Sequence, residues 1–318
     1  MGCVMSEVSP GKAIRELHSK AARIRQTFSE VFDAPPASRI VLVPSILAAL
    51  HILFAKLRVR RMVLTSGEYY GALHFPAQRV ESVGVKDLIK RTKELKPDVV
   101  MVSVVTWKGE VLPCAELFAE IRSMRGREGA PLLVADYCHA GAVGFPSVKK
   151  LAADVVCGGA GKWVTPPLWN SKLGFLWFGS GSLSSSAKTA FVPFFLATNQ
   201  QPPFLVSRWI DPAEVRTLHA WLAHRRLDRS ALVAQYRADR KFASRLAAQL
   251  GMDCSQSNIL WLSRGHAGDK RVRQLERLGL TWKMPDGRIR ILCRARAGAL
   301  GQKFLSTPDP TSTRLSGD

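Results

Sequence analysis

The chain has 318 residues, 47% hydrophobic and 22% charged, which suits a large globular domain plus a smaller one and excludes a disordered polymer. No apolar run approaches the roughly 18 residues that cross a bilayer, and the N-terminal MGCVMSEVSPGK lacks the apolar stretch of a secretory signal. The formal net charge of +21 attracts anions, but no helix-turn-helix, zinc-finger or RNA-binding signature accompanies it, so nucleic acid is not the expected partner.

The N-terminus matches the short Met-Gly-x-x-x-Ser myristoylation pattern, which arises easily by chance. Cys3, Cys114, Cys138, Cys157, Cys254 and Cys293 show no metal-ligand spacing. Reduced core thiols, and with them a cytoplasmic setting, are expected. Residues 12–33 carry Ile14, Leu17, Ala21, Ile24, Phe28 and Val31 at helical spacing and predict an amphipathic helix. After a Pro-containing break, Arg39 to Val43 predicts a strand, and Pro44-Ser45 opens an apolar helix from Ile46 to Leu57. Arg61 to Thr65 predicts a strand followed by the loop SGEYYGALHFP. A helix over Val85 to Leu95, a strand over Asp98 to Val105, the loop TWKGEVLP and a helix over Cys114 to Met124 come next.

The segment from Pro131 to Phe178 organises the rest. Leu132 to Ala135 has strand length and ends on Asp136, with His139 three residues later in an Ala- and Gly-rich turn. A short helical pattern covers Ser147 to Ala153. A second strand, Asp154 to Cys157, runs into GGAGK and ends at Lys162, and Leu173 to Phe178 predicts a third. An acid at one strand end and a lysine after the next meet at the carboxyl edge of an α/β sheet, where such sheets bind ligands. Beyond Phe178, the stretch GSGSLSSSAKT predicts a loop. Helices follow over Pro212 to Ala223 and Asp228 to Leu250, then strands at Asn258 to Ser263 and Arg288 to Cys293 with a helix at Asp269 to Leu278 between them. The residues after Gly301 are polar and Pro-containing and predict a disordered tail.

The runs AD-x-x-HA-x-G, AD-V-V-x-G and GK-W, closed by G-F-L-W, resemble the core of the fold type I, class V pyridoxal-phosphate enzymes. Among these, Asp-x-x-His is nearest in form to the kynureninase, epimerase and C–S lyase branches. The resemblance implies an α/β fold: a mostly parallel large domain over 36–205, an N-terminal helical segment over 1–35, a smaller α+β domain over 206–301 and a tail over 302–318. It also implies pyridoxal 5'-phosphate as cofactor, an amino acid or derivative as substrate, and a homodimer with shared active sites.

By that resemblance Lys162 forms a Schiff base with the cofactor aldehyde, Asp136 keeps the pyridine nitrogen protonated, and His139 sits near the phenolic oxygen. Ser45 takes the place of a phosphate-binding hydroxyl at a helix start, where free N–H groups and the helix dipole favour an anion; alone, it is also an ordinary N-cap. Tyr70, with Tyr69 next, supplies a face for the ring. Thr106 stands where the family has an asparagine. Arg208 lies in the region that crosses the dimer interface and reaches a phosphate there, or else makes an interface ion pair. Arg290, with Arg288 as alternate on the same face of its strand, clamps the substrate carboxylate as a bidentate guanidinium.

The chain departs from the family before Lys162. Gly159, Ala160 and Gly161 replace side chains that serve the phosphate in related desulfurases, leaving backbone N–H groups. Cys293 falls in a predicted strand, a poor place for a mobile nucleophile, so sulfur donation to carriers is discounted. Transamination, elimination, carbon–carbon cleavage and racemisation all remain open. A catalytically silent relative acting as a binding subunit is the alternative, and a basic nucleic-acid-binding protein the third.

Overall fold

A computed structural model describes residues 10–67, 74–124, 130–159, 161, 163–164, 171, 173–196, 210–225, 227–252, 256–263, 269–277, 280–283 and 287–294. The chain opens with helix α1 (Pro10–Val31), then strand β1 (Ile40–Val43), α2 (Ile46–Lys56), β2 (Arg61–Thr65) and β3 (Arg79–Val83). It continues through α3 (Leu88–Leu95), β4 (Val99–Ser103), α4 (Cys114–Ser123), β5 (Leu132–Asp136), β6 (Val155–Gly159) and β7 (Gly174–Phe178). Helices α5 (Ser182–Leu196), α6 (Pro212–Arg225) and α7 (Arg229–Gln249) follow, then β8 (Ile259–Leu262), α8 (Lys270–Arg277), β9 (Thr281–Lys283) and β10 (Ile289–Leu292).

Seven strands form one sheet in the order β1-β7-β6-β5-β4-β2-β3. The pairs from β3 to β6 are parallel, and β7 runs antiparallel between β6 and β1. Helical crossovers cover both faces, so the strands are buried on both sides and read as continuous apolar runs. Alternation along each strand splits these residues between two core layers. Ile40 and Leu42 of β1, with Leu133 and Ala135 of β5, face the α1 and α4 side. Val41 and Val43, with Leu132 and Val134, face the α2 and α5 side.

The periodicity of α1 places Ala21, Ile24, Phe28 and Val31 on one stripe, and all are buried. Phe28 meets Phe175 of β7 at 4.7 Å between centroids, and Phe32 meets Trp177 at 5.7 Å. Removing a ring of this kind costs about 3–5 kcal/mol through lost transfer energy and the cavity left behind. On the opposite face Phe191 of α5 packs against Phe178 at 6.0 Å. The C-terminal unit is a three-stranded antiparallel sheet, β8-β10-β9. Its outer face is filled by Phe242 and Leu246 of α7, by Leu250 just past it, and by Val272 and Leu275 of α8. Among the described residues no helix is long and apolar enough to cross a membrane.

The structure corrects several readings. The Ser-rich run after Phe178 is helix α5, not a loop: Ala187 and Phe191 bury one face of it, and the Ser184 hydroxyl reaches Asp154 at 3.4 Å. The pattern at Ser147 to Ala153 makes only a 3-10 turn, Lys149–Leu151, because Ala152 takes a left-handed φ of 54° and stops it. Strand β6 extends two residues further than expected and absorbs Gly158 and Gly159. The helix expected from Val85 begins with a 3-10 turn, Val85–Asp87, before α3. Strands β3 and β9 were not expected; β3 is an edge strand with largely solvent-facing side chains. The loop residues Tyr69 and Tyr70, the segment with Arg208 and the tail lie outside the described residues.

Candidate active site

Two Ala-Asp pairs lead into or out of adjacent strands, and the structure gives their carboxylates different work. Asp154, buried, accepts the Leu133 N–H at 2.9 Å and the Arg122 guanidinium at 2.9 Å, which ties the start of β6 to β5 and α4. It is a structural residue. Asp136 ends β5 half-exposed, and one of its oxygens accepts the Cys138 N–H at 2.7 Å. That bond turns the chain sharply and delivers His139 to the start of a 3-10 turn, Ala140–Val143, closed by Gly144 at φ 81°.

His139 is buried and lies against Arg290, which is 7% exposed on β10 of the C-terminal sheet. Arg290 Nη2 is 3.0 Å from His139 Nε2. The same Nη2 is 3.4 Å from Nδ1, so the guanidinium, which only donates, lies against both ring nitrogens. Burial pulls the Arg290 guanidinium down from its ordinary value to about 10. Arg288, two positions back, is exposed and lies over the Trp261 ring at 5.1 Å. The structure therefore brings Arg290 to His139 and leaves Arg288 at the rim.

Thr106, fully buried, sits beside Gly67 at the end of β2. Its Oγ1 accepts the Glu110 N–H at 3.2 Å. Its loop is fixed from the C-terminal unit: Ser257 Oγ donates to the Gly109 carbonyl at 2.7 Å, and Gly109 holds a φ of +89°. A Cβ there would lie 2.8 Å from Ser257 Oγ, so glycine is required twice over.

Ser45 caps α2, its Oγ accepting the Ala48 N–H at 3.4 Å. The next residue, Ile46, packs over the ends of β6 and β7, where Cβ atoms on Gly159 and Gly174 would meet it at 3.4 and 2.6 Å. The start of α2, with its free N–H groups, is thereby brought against the strand that leads to Lys162. Lys162 itself lies outside the described residues, while both its neighbours lie within them. Gly161 is spent on the chain's own packing: a Cβ would fall 2.2 Å from the Ser171 carbonyl.

Trp163 is 1% exposed and wedged so tightly on Gly141 that a Cβ there would lie 2.3 Å from its ring. Its ring stands edge-on to His139 at 6.5 Å and carries the Arg294 guanidinium 5.6 Å above it. Arg294 pairs with Asp239 of α7 at 3.7 Å. With its amide oxygen turned toward Arg294, Gln235 accepts Nη2 at 2.8 Å. Sequence reasoning passed over this cluster; the only signal was the tryptophan directly after Lys162.

One sheet edge thus gathers a half-exposed carboxylate, a buried imidazole, a buried guanidinium, a buried hydroxyl and a helix N-terminus. This donor set suits a small anionic heterocycle with a basic ring nitrogen, and a carboxylate beside it. Among the described residues no His, Cys, Asp and Glu group could hold a metal.

No protein-family model matches the chain, and no curated protein does either. Solved structures do. The chain is similar to the cystine C–S lyase C-DES bound to its product cysteine persulfide, at 16% identity and TM-score 0.69 over 95% of this chain and 88% of that one. A lysine variant of C-DES, at 17% identity and TM-score 0.67 over 96% and 89%, holds glycine covalently linked to its PLP cofactor. Cysteine desulfurase CsdA from Escherichia coli matches at 14% identity and TM-score 0.66 over 95% and 86%. Ureidoglycine–glyoxylate aminotransferase from Bacillus subtilis matches at 12% identity and TM-score 0.63 over 91% and 81%. The chain has the fold of the fold type I pyridoxal-phosphate enzymes of class V type.

Proposed function

We propose that this chain binds pyridoxal 5'-phosphate and acts on an amino acid or derivative at Cα or Cβ. The observation that carries the reading is the meeting of Arg290 and His139 at 3.0 Å, three residues past the Asp136 carboxylate, on an edge to which α2 also points its N-terminus. When bound, the cofactor supplies a protonated ring that absorbs electrons from a bond broken at Cα.

Each residue then has a task. The Asp136 oxygen not used by Cys138 holds the proton on the ring nitrogen. His139 turns a ring nitrogen toward the phenolic oxygen. Thr106 offers its hydroxyl hydrogen on the same side. Ser45 and the first N–H groups of α2 receive the phosphate, with Arg208 completing that side from a partner copy in a homodimer. Arg290 clamps the substrate carboxylate, and Tyr70 covers the ring. Lys162 holds the cofactor before substrate arrives, and its amine then moves the proton at Cα. Aminotransferases, lyases and epimerases share the movement of that proton, so it does not choose among them.

The test is direct. Purified protein incubated with pyridoxal phosphate is expected to turn yellow, and borohydride reduction to fix the cofactor on the peptide bearing Lys162. Lys162→Ala should lose both. A protein that stays colourless, or a label on another lysine, overturns the proposal. A second reading, a binding subunit without chemistry, draws support from Gly161, whose closeness to Ser171 leaves no side chain for the phosphate. It is favoured if the fold survives, the dimer forms and no colour develops.

A further inference from the structure

Going outward from His139, the next feature after Arg290 is aromatic. In the antiparallel ladder of β10 and β8, Arg290 stands directly opposite Trp261. Such partners share a face with Cβ atoms about 4.5–5.5 Å apart. Trp261 therefore borders the position given to the substrate carboxylate. The opposite wall comes from the large domain. Trp107 follows Thr106 directly, and its N–H donates to the Gly67 carbonyl at 3.2 Å.

The two indoles meet edge to face, 5.1 Å apart and inclined at 76°. Trp261 is anchored by its Nε1–H, which donates to the Lys108 carbonyl at 2.7 Å, and its ring carries the Arg288 guanidinium at 5.1 Å. Both indoles are only half-buried, whereas Trp163 and Trp177, which hold the core, are 1% and 0% exposed. This pair instead keeps part of its ring surface uncovered, held by its mutual contact and the Trp261 anchor.

We infer that the site takes an amino acid whose side chain is aromatic, packed on the Trp107–Trp261 pair while Arg290 holds its carboxylate. The inference rests on the reading of the site as a pyridoxal-phosphate enzyme. A third ring extends an edge-to-face array with no loss of side-chain freedom in the wall, because both indoles are already fixed. A one-carbon side chain, as in alanine or cysteine, ends too close to Cα to cover them. Arg288 contributes by holding Trp261 flat beneath its guanidinium.

The test is a spectral titration of the cofactor-loaded protein with L-phenylalanine, L-tyrosine, L-alanine and L-cysteine, scored by the half-saturating concentration and not by turnover. The aromatic acids are expected to half-saturate at about tenfold lower concentration than alanine or cysteine. Trp261→Leu and Trp107→Leu should each collapse that ratio toward one. The comparison among ligands needs only the unmodified protein, so a variant that fails to fold does not empty the test. If the loaded protein responds to all four acids alike, or prefers cysteine, the inference falls while the cofactor reading stands. If the preference survives both substitutions, the indole wall is not its source and the inference also falls. A protein that never takes up the cofactor removes the reading on which the inference depends.

Discussion

Asp239→Leu is the perturbation that best probes how the site is held. Asp239 and Arg294 are 2% and 4% exposed at the side chain, and their charged atoms lie 3.7 Å apart. Exposed pairs contribute about 0.2–1 kcal/mol, but a pair at this depth behaves differently. Removing the carboxylate takes this counter-charge from a guanidinium buried beside Trp163 and Gln235, which costs about 3–5 kcal/mol. With a urea m-value of about 3 kcal/mol/M, the unfolding midpoint should drop by about 1–1.7 M. Arg294→Met should cost a comparable amount by taking the guanidinium from the buried carboxylate. The double variant, Asp239→Leu with Arg294→Met, replaces both charges by apolar groups and should lie near the unmodified protein or above it. The assay is urea unfolding followed by circular dichroism on all four proteins, read as a double-mutant cycle. Two results would refute the reasoning: a single-variant loss below about 1 kcal/mol, which is surface behaviour, or a double variant as poor as the two singles added together.

Further outcomes follow from the same geometry. Gly141→Ala should destabilise by about 1–3 kcal/mol or more, since its Cβ would overlap Trp163 at 2.3 Å; a thermal melt checks this, and cofactor uptake should fall with it because Trp163 adjoins Lys162. Arg290→Met should leave the melting temperature unchanged or raise it while abolishing saturation by amino acids, because burial disfavours the charged guanidinium at every pH below about 10. Melts and spectral titrations on one preparation separate the two effects. The Asp33 carboxyl is held below the usual range first by the Ser147 hydroxyl and then by Lys149. Its contribution to stability is therefore present above the unfolded carboxylate value and is lost as pH falls through the folded one. Ser147→Ala should raise the Asp33 pKa, measured by NMR titration, and flatten that acid-side loss.

The alternation of apolar strands and amphipathic helices was plain in the sequence because each buried strand is a continuous apolar run and α1 keeps strict helical spacing. Strand β3 escaped because its side chains are mostly solvent-facing, so nothing in Arg79 to Val83 resembles a core strand. Helix α5 escaped because serine competes with the backbone for hydrogen bonds and reads as loop, whereas Ala187 and Phe191 secure the helix through packing on the sheet. Within the site, Asp136 was singled out by its place at a strand end and His139 by the family resemblance. The Arg294–Asp239–Trp163 cluster was not, because its members come from three distant segments and form no local pattern. The pairing of Trp107 with Trp261 has the same character: only the docking of the C-terminal sheet on the Thr106 loop makes them neighbours.

Strand β1 has a single partner in the sheet, β7, with Ile40 opposite Trp177. During synthesis the run Ile-Val-Leu-Val leaves the ribosome long before its mate exists. Until then its backbone edge and both apolar faces are open to any other extended chain. The slow step of folding should therefore be the closing of that late, long-range pair. Early termination anywhere before Gly174 should yield insoluble nascent chains that occupy holdase chaperones.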